Sequence, residues 1–432
     1  MKHFSLLFFL VLCITACEMA EQKEPAKAHS FLAQDWKQLE SFLTNADSEN
    51  PNFEKIDALF ETFIAQQQVV GMSVAVAYKG KLVYAKGFGY ADAEAKKQLQ
   101  PYHMLRIASV SKLITAIAIM KLVEQKKLNL HDKVFGKNGI LNDPMFLKMS
   151  DKRMEKIEIM HLLTHSGGWR NRFRSDPMFK TLEIAQYMKT PPPADLSTLI
   201  RFMLNEEMIA EPGTFYDYSN FGYAVLGKVV EKVSGKNYAA FVKENIFEPL
   251  GIHYIQVGHN QRKNKLLWES CYYDHPNAPK RISIYGTGDS VSRAYEGSNI
   301  EVMLAAGGWV ATASDLLKLG LAVDGFTSLK DILTPESIEQ MTLSKKDSTE
   351  NKVLGWRQCD KVRWWRTGSL ASTTAVLKIH KQDEWAWVCL TNTGSWRGPY
   401  FVYDIEGVVN RAIATLRNKK EATQKNLFIN NR

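Results

Sequence analysis

Apolar residues recur at helical spacing at Phe53, Ile56, Leu59, Phe60 and Phe63, which predicts an N-terminal helix over residues 52–68. Two valine-rich, alternating runs follow, 71–78 and 81–86, and the Lys79-Gly80 between them marks a hairpin. Past residue 109 the pattern changes. Leu113, Ile114, Ala116, Ile117, Ala118, Ile119 and Met120 are apolar nearly all round, as in a helix buried between layers, and 123–134 reads as its end and a turn. From about 154 to 250 the pattern is helical, broken at Ser166-Gly167-Gly168, Pro191-Pro192-Pro193 and Glu211-Pro212-Gly213. Residues 261–299 are the least regular and suit a lid or substrate wall. Gly307-Gly308-Trp309 then leads into a short helix from Ser314, with Asp315 in its favourable first turn. A hairpin of 373–380 with 384–390 closes a sheet, and Trp364 and Trp365 are expected to straddle it, one buried and one facing a cleft.

The N-terminus has a different character. Met1-Lys2-His3 followed by an apolar run over 4–14 has the layout of a secretory signal, too short to span a bilayer. It ends in Ile14-Thr15-Ala16-Cys17, which looks like a bacterial lipobox whose Cys17 would be lipidated; ordinary cleavage near Ala16 is the other reading. Residues 18–33 are polar without apolar period. The expected organisation is therefore a signal peptide at 1–16, a lipidated cysteine and tether at 17–50, one catalytic unit at 51–418 and a polar tail at 419–432. Either reading takes the protein out of the cytoplasm, and lipidation would place it on a membrane of the bacterial envelope.

A chain of 432 residues with 45% hydrophobic composition can bury a large core without staples. The formal charge of +9 raises the question of nucleic acid, but the basic residues are dispersed and no nucleic-acid motif accompanies them, so no such partner is expected. Once Cys17 carries lipid, Cys271, Cys359 and Cys389 remain, an odd and sparse set that argues against a disulfide framework and leaves one pairing open. Cys389, within the apolar Trp385–Leu390 run, reads as a small buried hydrophobe. His161 and His165 stand one helical turn apart but lack the Glu of a His-Glu-x-x-His zinc site and any positioned third ligand, so neither metal nor cofactor is expected.

The chemistry concentrates at Ser109-Val110-Ser111-Lys112. A serine hydroxyl needs a base within hydrogen-bond reach, and a lysine three residues on lies on the same helical face. Burial in so apolar a helix would disfavour the ammonium, letting Lys112 take a proton near neutral pH. Downstream stand Tyr218-Ser219-Asn220 and Arg366-Thr367-Gly368. Ser-x-x-Lys, Tyr-x-Asn and a cation with Thr-Gly, in that order, resemble the serine β-lactamase and penicillin-binding superfamily, within it the class C β-lactamase-related group. The resemblance runs from about Phe53 to about Leu416 and includes Gly71-Met72-Ser73-Val74-Ala75-Val76, Leu128-Asn129-Leu130-His131-Asp132 and Gly307-Gly308-Trp309-Val310-Ala311-Thr312.

The resemblance implies an α/β (α+β) fold: an antiparallel sheet flanked by helices from 51–105 and 300–418, a mainly helical lobe from 106–299, and the active site between them. It implies acyl transfer, with Ser109 as nucleophile, Lys112 and Tyr218 sharing the proton as alternative bases, and the backbone N–H groups of Ser109 and Ser369 as oxyanion hole. Asn220, Arg366, Thr367 and Gly368 would bind substrate, Asn220 alternatively fixing Lys112. Arg366 stands where the family usually has lysine or histidine. Guanidinium cannot lose its proton in a protein, so Arg366 either clamps a substrate carboxylate, the expected role, or lowers the pKa of Tyr218. The expectation is an exported, lipid-anchored serine hydrolase acting on a small ester or peptide, D-amino-acid or carboxylate-bearing. A β-lactamase, or a scaffold that binds cell wall without turnover, are the alternatives.

Overall fold

The two valine-rich runs lie at the heart of one antiparallel sheet. In this computed structural model, which describes residues 42–342 and 353–428, helix α1 (Glu54–Gln67) leads into strands β1 (Gly71–Tyr78) and β2 (Lys81–Asp92). Lys79 and Gly80 both take positive φ, 48° and 72°, as a two-residue turn matched to strand twist demands. β2 runs past the expected end at Lys86 to Asp92. Helices α2 (Ser111–Glu124), α3 (Asn220–Ser234) and α4 (Ala313–Leu321) come next, then β3 (Arg363–Leu370), β4 (Thr373–His380), β5 (Trp385–Thr391) and the closing helix α5 (Phe401–Arg417). The sheet order is Lys97–Gln98, β2, β1, β5, β4, β3, Gln358–Cys359, with every neighbour antiparallel.

Side chains alternate across a strand, so each strand feeds two cores. Val74, Val376, Trp387 and Cys389 pack against α1 and α5 on one face. Ala75, Leu377, Val388 and Leu390 pack on the other, in the core that holds α2, α3 and α4. Asp57 ties α1 to β2, accepting from Tyr84 Oη and Lys86 Nζ at 2.6 Å each. Between α2 and α4 the chain supplies helices such as Ile159–Leu163, Thr181–Met188 and Leu196–Leu204, the expected helical lobe. The expected short helix begins at Ala313, where the Thr312 side chain caps it by accepting from Asp315 N.

Two expected boundaries move. The sequence places the tether up to residue 50, yet 42–50 pack onto the sheet: the Asn45 side chain donates to Gly87 O at 3.0 Å and accepts from Gly87 N at 2.8 Å, and Ser48 does the same for Ala85. Side-chain amide and hydroxyl groups thereby cover the open edge of β2, a role without hydrophobic period. The polar tail also docks, with Leu427 buried and its N–H donating to Leu82 O at 2.8 Å. The signal peptide, Cys17 and most of the tether lie outside the described residues. Cys271, Cys359 and Cys389 are all free and buried. Trp364 lies in the core beside α2 and α4, but Trp365 does not face the cleft: one step along the strand, it turns to the α5 side with Tyr403 and Glu406.

Candidate active site

Ser109 sits in a tight turn, Ala108–Val110, two residues ahead of the start of α2 rather than inside it. The chain arrives from the short strand Leu105–Arg106 and reverses so sharply that Ala108 takes a φ of 47°, a left-handed conformation costing about 1–2 kcal/mol for a residue with a Cβ. That turn leaves Ser109 partly exposed while Lys112, in the first turn of α2, is fully buried. Lys112 Nζ donates to Asn220 Oδ1 at 2.7 Å and to Ala306 O at 2.6 Å, and its third position faces Ser109 Oγ at 3.3 Å. With two hydrogens committed to fixed acceptors, that third position carries a proton when Lys112 is an ammonium and a lone pair when it is an amine. Burial lowers the Lys112 pKa, favouring the amine, against a pull from Tyr218 towards the charged form.

Tyr218 comes from the segment just before α3. Its Oη donates to Ser109 Oγ at 2.8 Å, and the Tyr218 ring lies 4.9 Å below Lys112 Nζ. Burial works against its ionisation, but Lys112 and then Arg366 outweigh it, and the phenol pKa falls from 10.0 to about 7. Asn220, the first residue of α3, holds Lys112 and is itself held by half-buried Asp176, which accepts its N–H at 2.6 Å. Of the two roles open to Asn220, the geometry shows the fixing of Lys112.

Arg366 corrects the expected clamp. It is 2% exposed, and Nε donates to Ser109 O at 2.9 Å, Nη1 to Trp356 O at 3.2 Å and Nη2 to Tyr218 Oη at 3.1 Å. Three of its five N–H groups are thus spent on the protein, and so buried a side chain presents no open fork to a substrate carboxylate; its charge acts on Tyr218. Gly368, two residues on and on the same face, lets β3 touch the turn that carries Ser109: a Cβ there would lie 2.2 Å from Ile107 O and 2.8 Å from Ser109 N. This contact brings the backbone of Gly368-Ser369 alongside Ser109 N–H, where the oxyanion hole was expected. Thr367 differs. It shares the α5 face with Trp365 and Val376, lining a depression of about 360 Å³, so its side chain is not in the cleft.

Three contributors escaped the sequence reading. The His165 ring packs 4.4 Å from that of Tyr218, and its Nδ1 accepts from Ser219 N, which puts the ring proton on Nε2. Burial, then Arg366 and Lys112, hold its pKa well below 6.5, which favours the neutral ring. Asp176 anchors α3, and the Ala306 carbonyl completes the lysine's acceptors. Sequence spacing sets His165 beside His161 without giving it a part in the chemistry, and His161 accepts from Glu158 N at the start of its own helix.

A serine hydroxyl held between a buried amine and an acidified phenol, where an antiparallel sheet meets a helical lobe, defines a serine acyl-transfer site. The chain belongs to the Beta-lactamase family, which it matches over residues 56–418. It is similar to penicillin-binding protein 4* of Bacillus subtilis (strain 168), 29% identical over 238 residues, or 54% of this chain and 44% of that one. It is also similar to protein flp of Staphylococcus aureus (strain MRSA252), 26% identical over 216 residues, or 50% of this chain and 40% of that one. The match thus spans less than half the length of these relatives. The fold is that of D-amino acid amidase from Ochrobactrum anthropi SV3, solved with D-phenylalanine, at a TM-score of 0.64 and 21% identity over 85% of this chain and 99% of that one.

Proposed function

We propose that this protein is a serine hydrolase that forms an acyl-enzyme at Ser109 and acts on a small amide, peptide or ester outside the cytoplasm, held to a membrane through Cys17. The observation that carries the chemistry is Ser109 Oγ between Tyr218 Oη at 2.8 Å and Lys112 Nζ at 3.3 Å, with Tyr218 able to ionise near pH 7. Ser109 Oγ attacks the carbonyl carbon and its proton passes to the Tyr218 phenolate or the Lys112 amine. The oxyanion accepts from Ser109 and Ser369 N–H, and such a donor contributes about 2.7–4 kcal/mol. As the bond to the leaving group breaks, the same proton passes to it; water then attacks the ester, returning its proton by the same route. The amide and peptide preference rests on the penicillin-binding relative and the amidase of like fold.

A fluorophosphonate probe should label the wild type and fail on Ser109→Ala, whose kcat should fall by on the order of 10⁴-fold or more. Undiminished labelling of the variant would remove Ser109 from the reaction. A panel of p-nitrophenyl esters, D-amino-acid amides and a chromogenic cephalosporin then ranks the substrate classes.

A further inference from the structure

If Arg366 cannot hold a carboxylate, other cations near Ser109 could. The irregular 261–299 segment and the end of β3 enclose a cavity of about 350 Å³ whose lining includes Arg281, Arg293, His275, Asp274 and Ser369. Ser369 is the second oxyanion residue, and the wall continues through Leu370 to Thr374. At about 3.4 Å per strand residue, the cavity begins within one residue of the contact between Gly368 and Ser109. Phe179, from the turn that also carries Asp176, closes it on the helical side.

The charges in this cavity are unbalanced. Neither guanidinium donates a hydrogen bond or forms an ion pair among the described residues, and Arg293 Nε is buried without a partner. The two are close enough that Arg293 disfavours the charge on Arg281, an effect second only to burial and opposed by Glu183. One carboxylate, Asp274, lines the cavity against the two guanidiniums; it accepts from Ser372 Oγ, Ser292 Oγ and Arg293 N and forms an ion pair with neither arginine, which leaves the lining net positive. Two neighbouring cations with free planar forks suit an oxyacid anion held by parallel bonds.

The direction along β3 says which half of the substrate enters. The leaving group must lie beside the groups that return its proton, Tyr218 and Lys112, and Arg366 sets Tyr218 towards the start of β3. The cavity lies past the other end, so it meets the acyl half. We propose that Arg281 and Arg293 form an anion subsite for the acyl group, making the preferred substrates those with a carboxylate a few bonds from the scissile carbonyl. This rests on the serine-hydrolase reading of the same site.

The test compares p-nitrophenyl hydrogen glutarate with its neutral counterpart p-nitrophenyl pentanoate on purified full-length protein, wild type and Arg281→Gln/Arg293→Gln. Wild type should favour the glutarate ester by about tenfold or more in kcat/KM, as charge-assisted pairs commonly contribute, and the double variant should lose that preference. Free glutarate, followed by calorimetry, should bind the wild type and not the variant. Equal ester ratios in the two proteins, or glutarate binding that survives the double substitution, would overturn the subsite while pentanoate turnover upheld the hydrolase. Glutarate binding that depends on the two arginines, with neither ester turned over and no fluorophosphonate labelling, would uphold the subsite and sink the hydrolase reading.

Discussion

Arg366 is one residue whose position along the chain pointed to one role and whose surroundings dictate another. Three of its five N–H groups donate to Ser109 O, Trp356 O and Tyr218 Oη and the side chain is buried, so its effect on catalysis runs through the phenol. A phenol whose folded pKa is near 7 supplies phenolate above that pH, so the rate should rise through about pH 7 if Tyr218 is the base. Removing a neighbouring cation favours the protonated phenol, so Arg366→Ala should move that limb to higher pH and slow neutral and acidic substrates alike. Arg366→Lys, which restores a positive charge, should bring the limb back. A loss confined to carboxylate-bearing substrates, with the limb unmoved, would reinstate the clamp. Ser109 and Lys112 were legible because their relation is local, three residues along one chain direction. His165 was not, because its ring meets Tyr218 across more than fifty residues of sequence, and nothing in His-x-x-x-His announces a stacking partner.

At the scale of elements, the site depends on β3 lying hard against the turn that precedes α2. Gly368 permits this: any side chain there collides with Ile107 O and Ser109 N, both backbone atoms with little room to yield. Gly368→Ala should therefore displace the strand and cost on the order of 10²-fold in kcat/KM, the size associated with misplacements of about 1 Å, while circular dichroism shows the fold retained. Wild-type activity in that variant would show that the strand backbone takes no part in the oxyanion hole. The elements themselves were mostly readable. The all-round apolar run of α2 predicted burial between layers, and Lys79-Gly80 predicted its turn from the left-handed dihedrals such a hairpin needs. What periodicity misjudged was where elements stop: β2 continues to Asp92, and Asn45, Ser48 and Leu427 dock on it through single polar groups or one isolated leucine.

For the molecule as a whole, the anchor is the open question that the sequence poses most sharply. Expressed in a lipoprotein-competent bacterium, the wild type should fractionate with membranes and Cys17→Ser should not be lipidated; a wholly soluble wild type with an unmodified N-terminus would retire the anchor. The family resemblance implied the sheet-and-helix architecture; by itself the sequence determined most of the helices and strands, the order of the three motifs and the placing of Lys112 one helical turn from Ser109. These are carried by hydrophobic period and by residues near one another along the chain, which act before any long-range contact forms. Only the tertiary structure decided that Asn220 grips Lys112, that Thr367 turns away from the cleft with Trp365, that Arg366 serves Tyr218, and that Arg281 and Arg293 share a cavity beyond Ser369. Those outcomes depend on which face of a strand meets which helix and on which donors find acceptors once buried. Because a single step along a strand reverses the first and burial forces the second, neither can be read from residue type and spacing alone.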